Sequence, residues 1–163
     1  MAPQNTPLPP ASLLARLAHR RGAYADAYTL QLPRAVTLAE FVEAFYTTRL
    51  FKVERALLGL FGKPSSDAMA RAVARGEGCR LAIWTVEARE GDELLMHEDS
   101  GATRSWFKIE PGAAGTTLWF GSAVLPRQPA GGGEPRFGGI FHALLGFHRW
   151  YSRALLAAAA RGL

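Results

Sequence analysis

The chain has 163 residues, 48% of them hydrophobic and 20% charged, a balance that argues for one globular domain and against a disordered chain. No apolar run approaches the roughly 18–20 residues of a membrane span, and the most apolar N-terminal piece, 13–18, is broken by Arg16 with no secretory h-region after it. The net charge of +5 comes almost wholly from arginines scattered at wide intervals, not from a basic stripe interleaved with stacking aromatics, which argues against nucleic acid as a partner.

Residues 1–11 carry Pro3, Pro7, Pro9 and Pro10 and read as an extended, mobile tail. Residues 12–21 fit a short amphipathic helix with Leu13, Leu14 and Leu17 on one face. Arg16, His19, Arg20 and Arg21 make this stretch basic. Residues 1–22 are therefore expected as a Pro-rich, basic N-terminal segment ahead of a single domain at 23–163. Tyr24, Asp26, Tyr28, Leu30 and Leu32 alternate along a strand that Pro33 stops. Thr37 and Glu40 form a T-x-x-E capping pattern, and Leu38, Phe41, Val42 and Phe45 follow at helical spacing. Val53, Leu57 and Leu60 continue the apolar set, with a bend or break expected at Thr47-Thr48 and a stop at Gly62. Pro64-Ser65-Ser66-Asp67 opens another short helix, with Met69, Ala72 and Val73 inward and Gly76 at its end.

Four strands are then predicted, at 79–89, 93–98, 103–110 and 116–125, joined by short turn-rich connections that call for an antiparallel meander. Cys79 is the sole cysteine, so no internal disulfide forms, and a reducing cytoplasm is the expected location. Residues 127–136, RQPAGGGEPR, read as a connector, or alternatively as a lid over a pocket mouth; they lack the ending of a phosphate loop. The last helix, about 137–161, keeps Ile140, Leu144, Phe147, Tyr151, Leu155 and Ala158 on one wide stripe. His142, Arg149 and Arg153 fall opposite, and His148 lies at the stripe's edge.

The order from residue 24 onward is β-α-α-β-β-β-β-α. It implies an α+β fold in which a curved antiparallel sheet of five to seven strands grips a long C-terminal helix. The stretches YADAYTLQLP (24–33), IWTVEAREGDELLM (83–96), TRSWFKIEPG (103–112), TLWFGSAV (117–124) and LLGFHRWYSRALL (144–156) resemble the START-like superfamily, also called SRPBCC or helix-grip. Within it the chain is most similar to a bacterial family of unknown function. The resemblance implies a hydrophobic cavity between sheet and helix and no catalytic residue. Helix-grip domains usually have six or seven strands, whereas five are legible here.

Trp84, Trp106 and Trp119 lie on separate strands and serve either as core or as pocket lining. Arg104 shares a strand face with Trp106. If that face points inward, Arg104 needs an anionic partner, a ligand carboxylate or Glu87 or Glu93; the outward orientation is the expectation. His148 and Tyr151, at i and i+3, are expected to share one site, with His148 the candidate general base. His97, Glu98 and Asp99 alternate across a strand end, and His142 and His148 are six apart; neither spacing holds a metal, so no metal or other cofactor is called for. The expected ligand-binding set is Trp84, Arg104, Trp106, Trp119, His148 and Tyr151, lining a pocket for a small apolar or aromatic molecule. Two alternatives stand beside it. One is an enzyme of the cyclase, dehydratase or hydrolase kind. The other is a structural or partner-binding protein with a filled core, for which a homodimer is possible.

Overall fold

Hydroxyl side chains open four of the five helices among the described residues. Ser12 accepts from the Ala15 N–H ahead of α1 (Leu13–Arg21), which closes on Gly22 at φ 57°, a left-handed turn that glycine adopts without strain. Thr37 and Glu40 form the reciprocal capping box of α2 (Leu38–Tyr46). Thr48 donates to the Phe45 carbonyl and accepts from the Phe51 N–H, so the break expected at Thr47-Thr48 is one helix ending and α3 (Arg49–Leu60) beginning. Ser66 caps α4 (Asp67–Arg75), and Gly76 ends it. The last helix, α5, spans Gly139–Gly162. This computed structural model describes residues 2–126 and 139–163, with side chains from 146 onward in the second stretch. The loop expected at 127–136 and the side chain of His142 lie outside those residues.

One antiparallel sheet runs through the molecule in the order β1-β2-β7-β6-β5-β4-β3. Its strands are β1 (Gln4–Asn5), β2 (Tyr24–Leu32), β3 (Arg80–Leu81), β4 (Trp84–Glu90), β5 (Glu93–Glu98), β6 (Thr103–Gly112) and β7 (Gly115–Val124). The sheet is not closed into a barrel; β1 and β3 are its edges. The predicted meander is present as β4 to β7, and β2 joins it beside β7. Both strands missing from the sequence count are two residues long, too short for a period-2 pattern. The run 79–89 is interrupted where Ala82 takes φ 53°, which folds β3 back on β4.

Helices cover both faces of this sheet. On the first face α2, α4 and α5 pack over Tyr28, Leu30, Leu94, Met96, Phe107, Leu118 and Phe120. Phe45 sits at the centre, its ring 4.5 Å from Phe120 and 4.9 Å from Phe107. On the second face α1 lays Leu13, Leu14 and Leu17 over Ala27, Leu95, Trp106, Trp119 and Ala123. Glu93 ties this layer together, because its Oε2 accepts from both the Leu13 backbone N–H and Trp106 Nε1, each at 2.8 Å.

Three expectations change. The N-terminal segment belongs to the fold: Asn5 pairs with Tyr28, Pro3 is buried, and α1 is the helix that covers one sheet face among the described residues. Val53, Leu57 and Leu60 do not face the core; Phe51 and Arg55 do, because α3 turns its opposite side inward. In α4 the inward residues are Ala70, Val73 and Ala74, while Met69 is exposed.

Gly121 is where α1 and the sheet come closest. A Cβ there would meet Leu14 Cδ2 at 2.7 Å, the Asp26 carbonyl at 2.9 Å and Trp106 Cε3 at 2.9 Å. Gly121→Ala is therefore expected to cost about 1–3 kcal/mol in urea unfolding, since backbone on one side cannot yield. Deleting residues 1–22 is expected to lower the unfolding midpoint sharply and to expose the indoles of Trp106 and Trp119 to quenchers, because no other described element covers them.

Candidate functional site

Polar groups collect on the two flanks of α5. The first flank faces β2 and β7. Asp26 and Ser122 stand directly opposite in register, both on the α5 side of the sheet, and both are buried. Ser122 Oγ donates to Asp26 Oδ1 at 2.7 Å, and His148 Nε2 lies 2.6 Å from the same Oγ. Tyr24 and Tyr28 donate to Asp26 Oδ2 at 3.4 and 3.3 Å. Arg149 bonds the Tyr24 hydroxyl at 2.7 Å, and its Nε lies 4.0 Å from Asp26 Oδ2.

Proton bookkeeping fixes the roles. A serine has one hydrogen, and here it goes to the carboxylate. His148 Nε2 must then carry its own hydrogen and donate to Ser122. The order is carboxylate, hydroxyl, imidazole. A nucleophilic triad needs the imidazole in the middle, accepting from the hydroxyl. Ser122 is thus a bridge rather than an activated nucleophile. Burial holds the His148 pKa below its usual value; Asp26 pulls it up, while Arg149 pushes it further down. Burial, reinforced by Asp26, pushes the Tyr28 hydroxyl up to about 12.

The second flank faces α3 and β4. Tyr151 donates to Glu54 Oε2 at 2.5 Å. Burial raises the Glu54 pKa, and the Tyr151 hydrogen bond offsets part of the rise. The Trp84 N–H is close enough to Glu54 to lower that pKa slightly, yet it is buried without a hydrogen bond of ordinary geometry. Tyr46, fully buried beside Glu54, donates to the Met96 sulfur at 3.1 Å.

The six residues expected to line one pocket are therefore divided. Trp84, His148 and Tyr151 are on the face covered by α2, α4 and α5, and His148 and Tyr151 reach different partners, Ser122 and Glu54, rather than sharing a site. Arg104, Trp106 and Trp119 are on the α1 face, separated from α5 by the sheet. The expectation that Arg104 points to solvent is overturned, because both faces of β6 are covered: Trp106 is buried under α1 and Phe107 under α2. Arg104 finds its counter-ion in Glu87, at 2.5 Å, one of the partners foreseen. A bulge between Val86 and Ala88 carries Glu87 there. His97, Glu98 and Asp99 are spent locally. Glu98 holds the turn through Ser100, and Asp99 pairs with Arg80 and Lys63. No group of three metal-ligating side chains occurs among the described residues.

Asp26, Ser122 and Glu54 were not singled out by sequence. The signal available was a polar residue on the inward parity of an otherwise apolar strand: Asp26 beside Tyr28 and Leu30, Ser122 beside Phe120. A groove of about 830 Å³ runs beside the first flank, between α5 and β1, with Asn5, Tyr28, Arg149, Trp150 and Arg153 along it. A second, of about 850 Å³, crosses β1 and β2 and has Arg153 as its one charged residue.

No family model, no curated protein and no solved structure matches this chain. No helix among the described residues is long and apolar enough to cross a membrane.

The two flanks carry opposite pH signatures. The His148 pKa is lowered in the fold, so below about pH 6.5 the unfolded chain binds the extra proton and stability falls as pH drops. His148→Gln is expected to flatten the thermal-unfolding profile over that acid limb. The Glu54 pKa is raised, so stability falls as pH climbs from 4.5 through its folded value. Glu54→Gln is expected to remove that alkaline-going loss. Unchanged profiles in the two variants would show that neither group is coupled to folding.

Proposed function

We propose that this domain binds a small apolar or aromatic molecule in the cleft between the sheet and α5, with the Asp26–Ser122–His148 chain as the polar end of the site. The observation that carries the reading is this chain itself. A carboxylate, a hydroxyl and an imidazole lie in series under a helix that otherwise docks through Leu155, Leu156 and Ala159. Replacing a paired buried polar set by apolar side chains is often neutral or stabilising, so helix docking alone does not call for this chain. The groove beside Tyr28 and Arg149 offers an approach, with Trp150 as an aromatic wall and Asn5 and Arg149 as polar contacts. The centre of the helix-covered face is filled by Phe41, Phe45, Phe107 and Phe120, so the ligand volume lies along α5 and not in the middle of the sheet.

The START-like reading fits this picture at the level of architecture. An antiparallel meander crossed by a long C-terminal helix is the helix-grip arrangement, and a ligand between the two is its usual use; the warrant is analogy of fold. Of the expected ligand residues, His148 stays in the proposed site. Trp84 and Tyr151 belong to the Glu54 flank, and Arg104, Trp106 and Trp119 serve the α1 layer.

A second reading, an enzyme with His148 as general base, has one observation in its favour. In the Nε2–H tautomer, Nδ1 keeps its lone pair and takes no hydrogen bond among the described residues, and burial lowers the pKa in favour of the neutral ring. The serine-nucleophile version has none, for the reason of proton order given above.

Native mass spectrometry of the freshly purified chain tests the binding reading. The expected result is an adduct that disappears on denaturation, with saturable anilinonaphthalene sulfonate fluorescence that Ser122→Ala and His148→Phe weaken about tenfold. A single mass before and after denaturation, with no saturable dye signal, would remove it.

A further inference from the structure

Six of the seven large apolar side chains exposed among the described residues fall on or just past two neighbouring helices; the seventh, Met69, is on α4. On α3 and just past its end, Val53 is 61% exposed, Leu57 55%, and Leu60 and Phe61 82% each; on α5, Phe147 is 61% and Trp150 59%. The spacing 53, 57, 60, 61 makes one stripe, and it points away from the core because Phe51 and Arg55 occupy the inward side. The two helices meet at this face. Phe147 stacks on Tyr151 at 5.9 Å and lies 5.8 Å from Trp150, and Tyr151 bonds Glu54 in the middle of α3. Exposed apolar side chains grouped on two packed helices stand out from the single scattered residues normal to a protein surface.

The charges say what it meets. Glu54 is the single acidic residue in α3 and α5 together, and it is turned inward to Tyr151. Arg49, one turn before Val53 on the α3 stripe, is exposed, and Arg149 and Arg153 are exposed on α5 at its β1/β2 side, where they bond Tyr24 and Pro3. A second copy placed on this face would bring arginine against arginine with no acid from either helix to answer it. The stretch 127–138 supplies only one large apolar residue, Phe137, against six that need cover. A surface that is apolar within and anionic at its boundary satisfies both halves of the patch. We infer that α3 and α5 form a docking face for an anionic lipid surface, with Leu60, Phe61, Phe147 and Trp150 entering the headgroup boundary and the arginines meeting lipid phosphates. This mode is peripheral and does not rest on the ligand-binding reading.

Vesicle co-flotation of the full chain tests it, with phosphatidylcholine vesicles compared against phosphatidylcholine mixed with phosphatidylserine. The chain is expected to float with the mixed vesicles, to stay behind with phosphatidylcholine alone, and to be released as salt rises. Leu60→Ser with Phe61→Ser changes two side chains that lie in solvent, so the fold is retained, and binding is expected to drop at least about tenfold. Arg49→Glu is expected to weaken binding to the mixed vesicles only. Absence of flotation with either vesicle, or equal flotation of the Leu60/Phe61 variant, would overturn the proposal. So would a concentration-dependent dimer that the same variant dissolves, which would assign the face to a second copy.

Discussion

The two central strands, β6 and β7, are buried on both faces, and the rest of the molecule is arranged around that constraint. A sheet with one wet face can place a polar residue at every second position. Here neither parity is free. Phe107 and Trp106 are neighbours in sequence, and both are sealed from water, one under α2 and one under α1. Several polar groups buried on these strands find their partners inside the protein. Arg104 takes Glu87, the Trp106 indole takes Glu93, and Ser122 takes Asp26 and His148. The same constraint makes the N-terminal helix part of the domain, since without α1 the second parity would lie open.

The two layers are held by different means. Under α2, α4 and α5 the packing is aromatic, with Phe41, Phe45, Phe107 and Phe120 in mutual edge and tilted contacts. Under α1 the layer is thinner, and a single carboxylate, Glu93, fixes helix and indole together. Gly121 allows this close approach, because any side chain at that position would fill the space Leu14 and Trp106 occupy. The polar chain of Asp26, Ser122 and His148 belongs to the first layer, and it sits at the layer's margin, where α5 passes over the β2–β7 pair. A buried polar group at the margin can be reached from a groove; the same group at the centre of the aromatic layer could not.

The helix α5 serves three surfaces at once. One side docks through Leu155, Leu156 and Ala159. A second side carries its polar contacts, His148 to Ser122, Tyr151 to Glu54 and Arg149 to Tyr24. Its outer side carries Phe147 and Trp150. The proposed ligand site and the proposed lipid-docking face share Trp150 and Arg149; the first depends further on the hydrogen-bonded chain, the second on the exposed apolar area of α3.

Local rules made much of this legible in the sequence alone. Capping residues, turn formers and period-2 or helical spacing foretold three of the helix starts, the break at Thr47-Thr48, the long final helix and the antiparallel strands from β4 to β7. These signals survive because each depends on residues within a few positions of one another. Parity is different. Alternation says that Arg104 and Trp106 share a face, but not which helix covers it, and on a sheet covered twice both answers are inward. The two-residue strands are invisible for the same reason, since they exist only through their partners in β2 and β4. The sites lie further still from local reading. Asp26, Ser122 and His148 are spread over 122 residues, and their meeting is a matter of strand register and helix docking. The sequence by itself determined the longer elements and their order; only the tertiary structure decided the two-residue strands and which polar side chains meet, because that depends on how separate elements are turned toward each other.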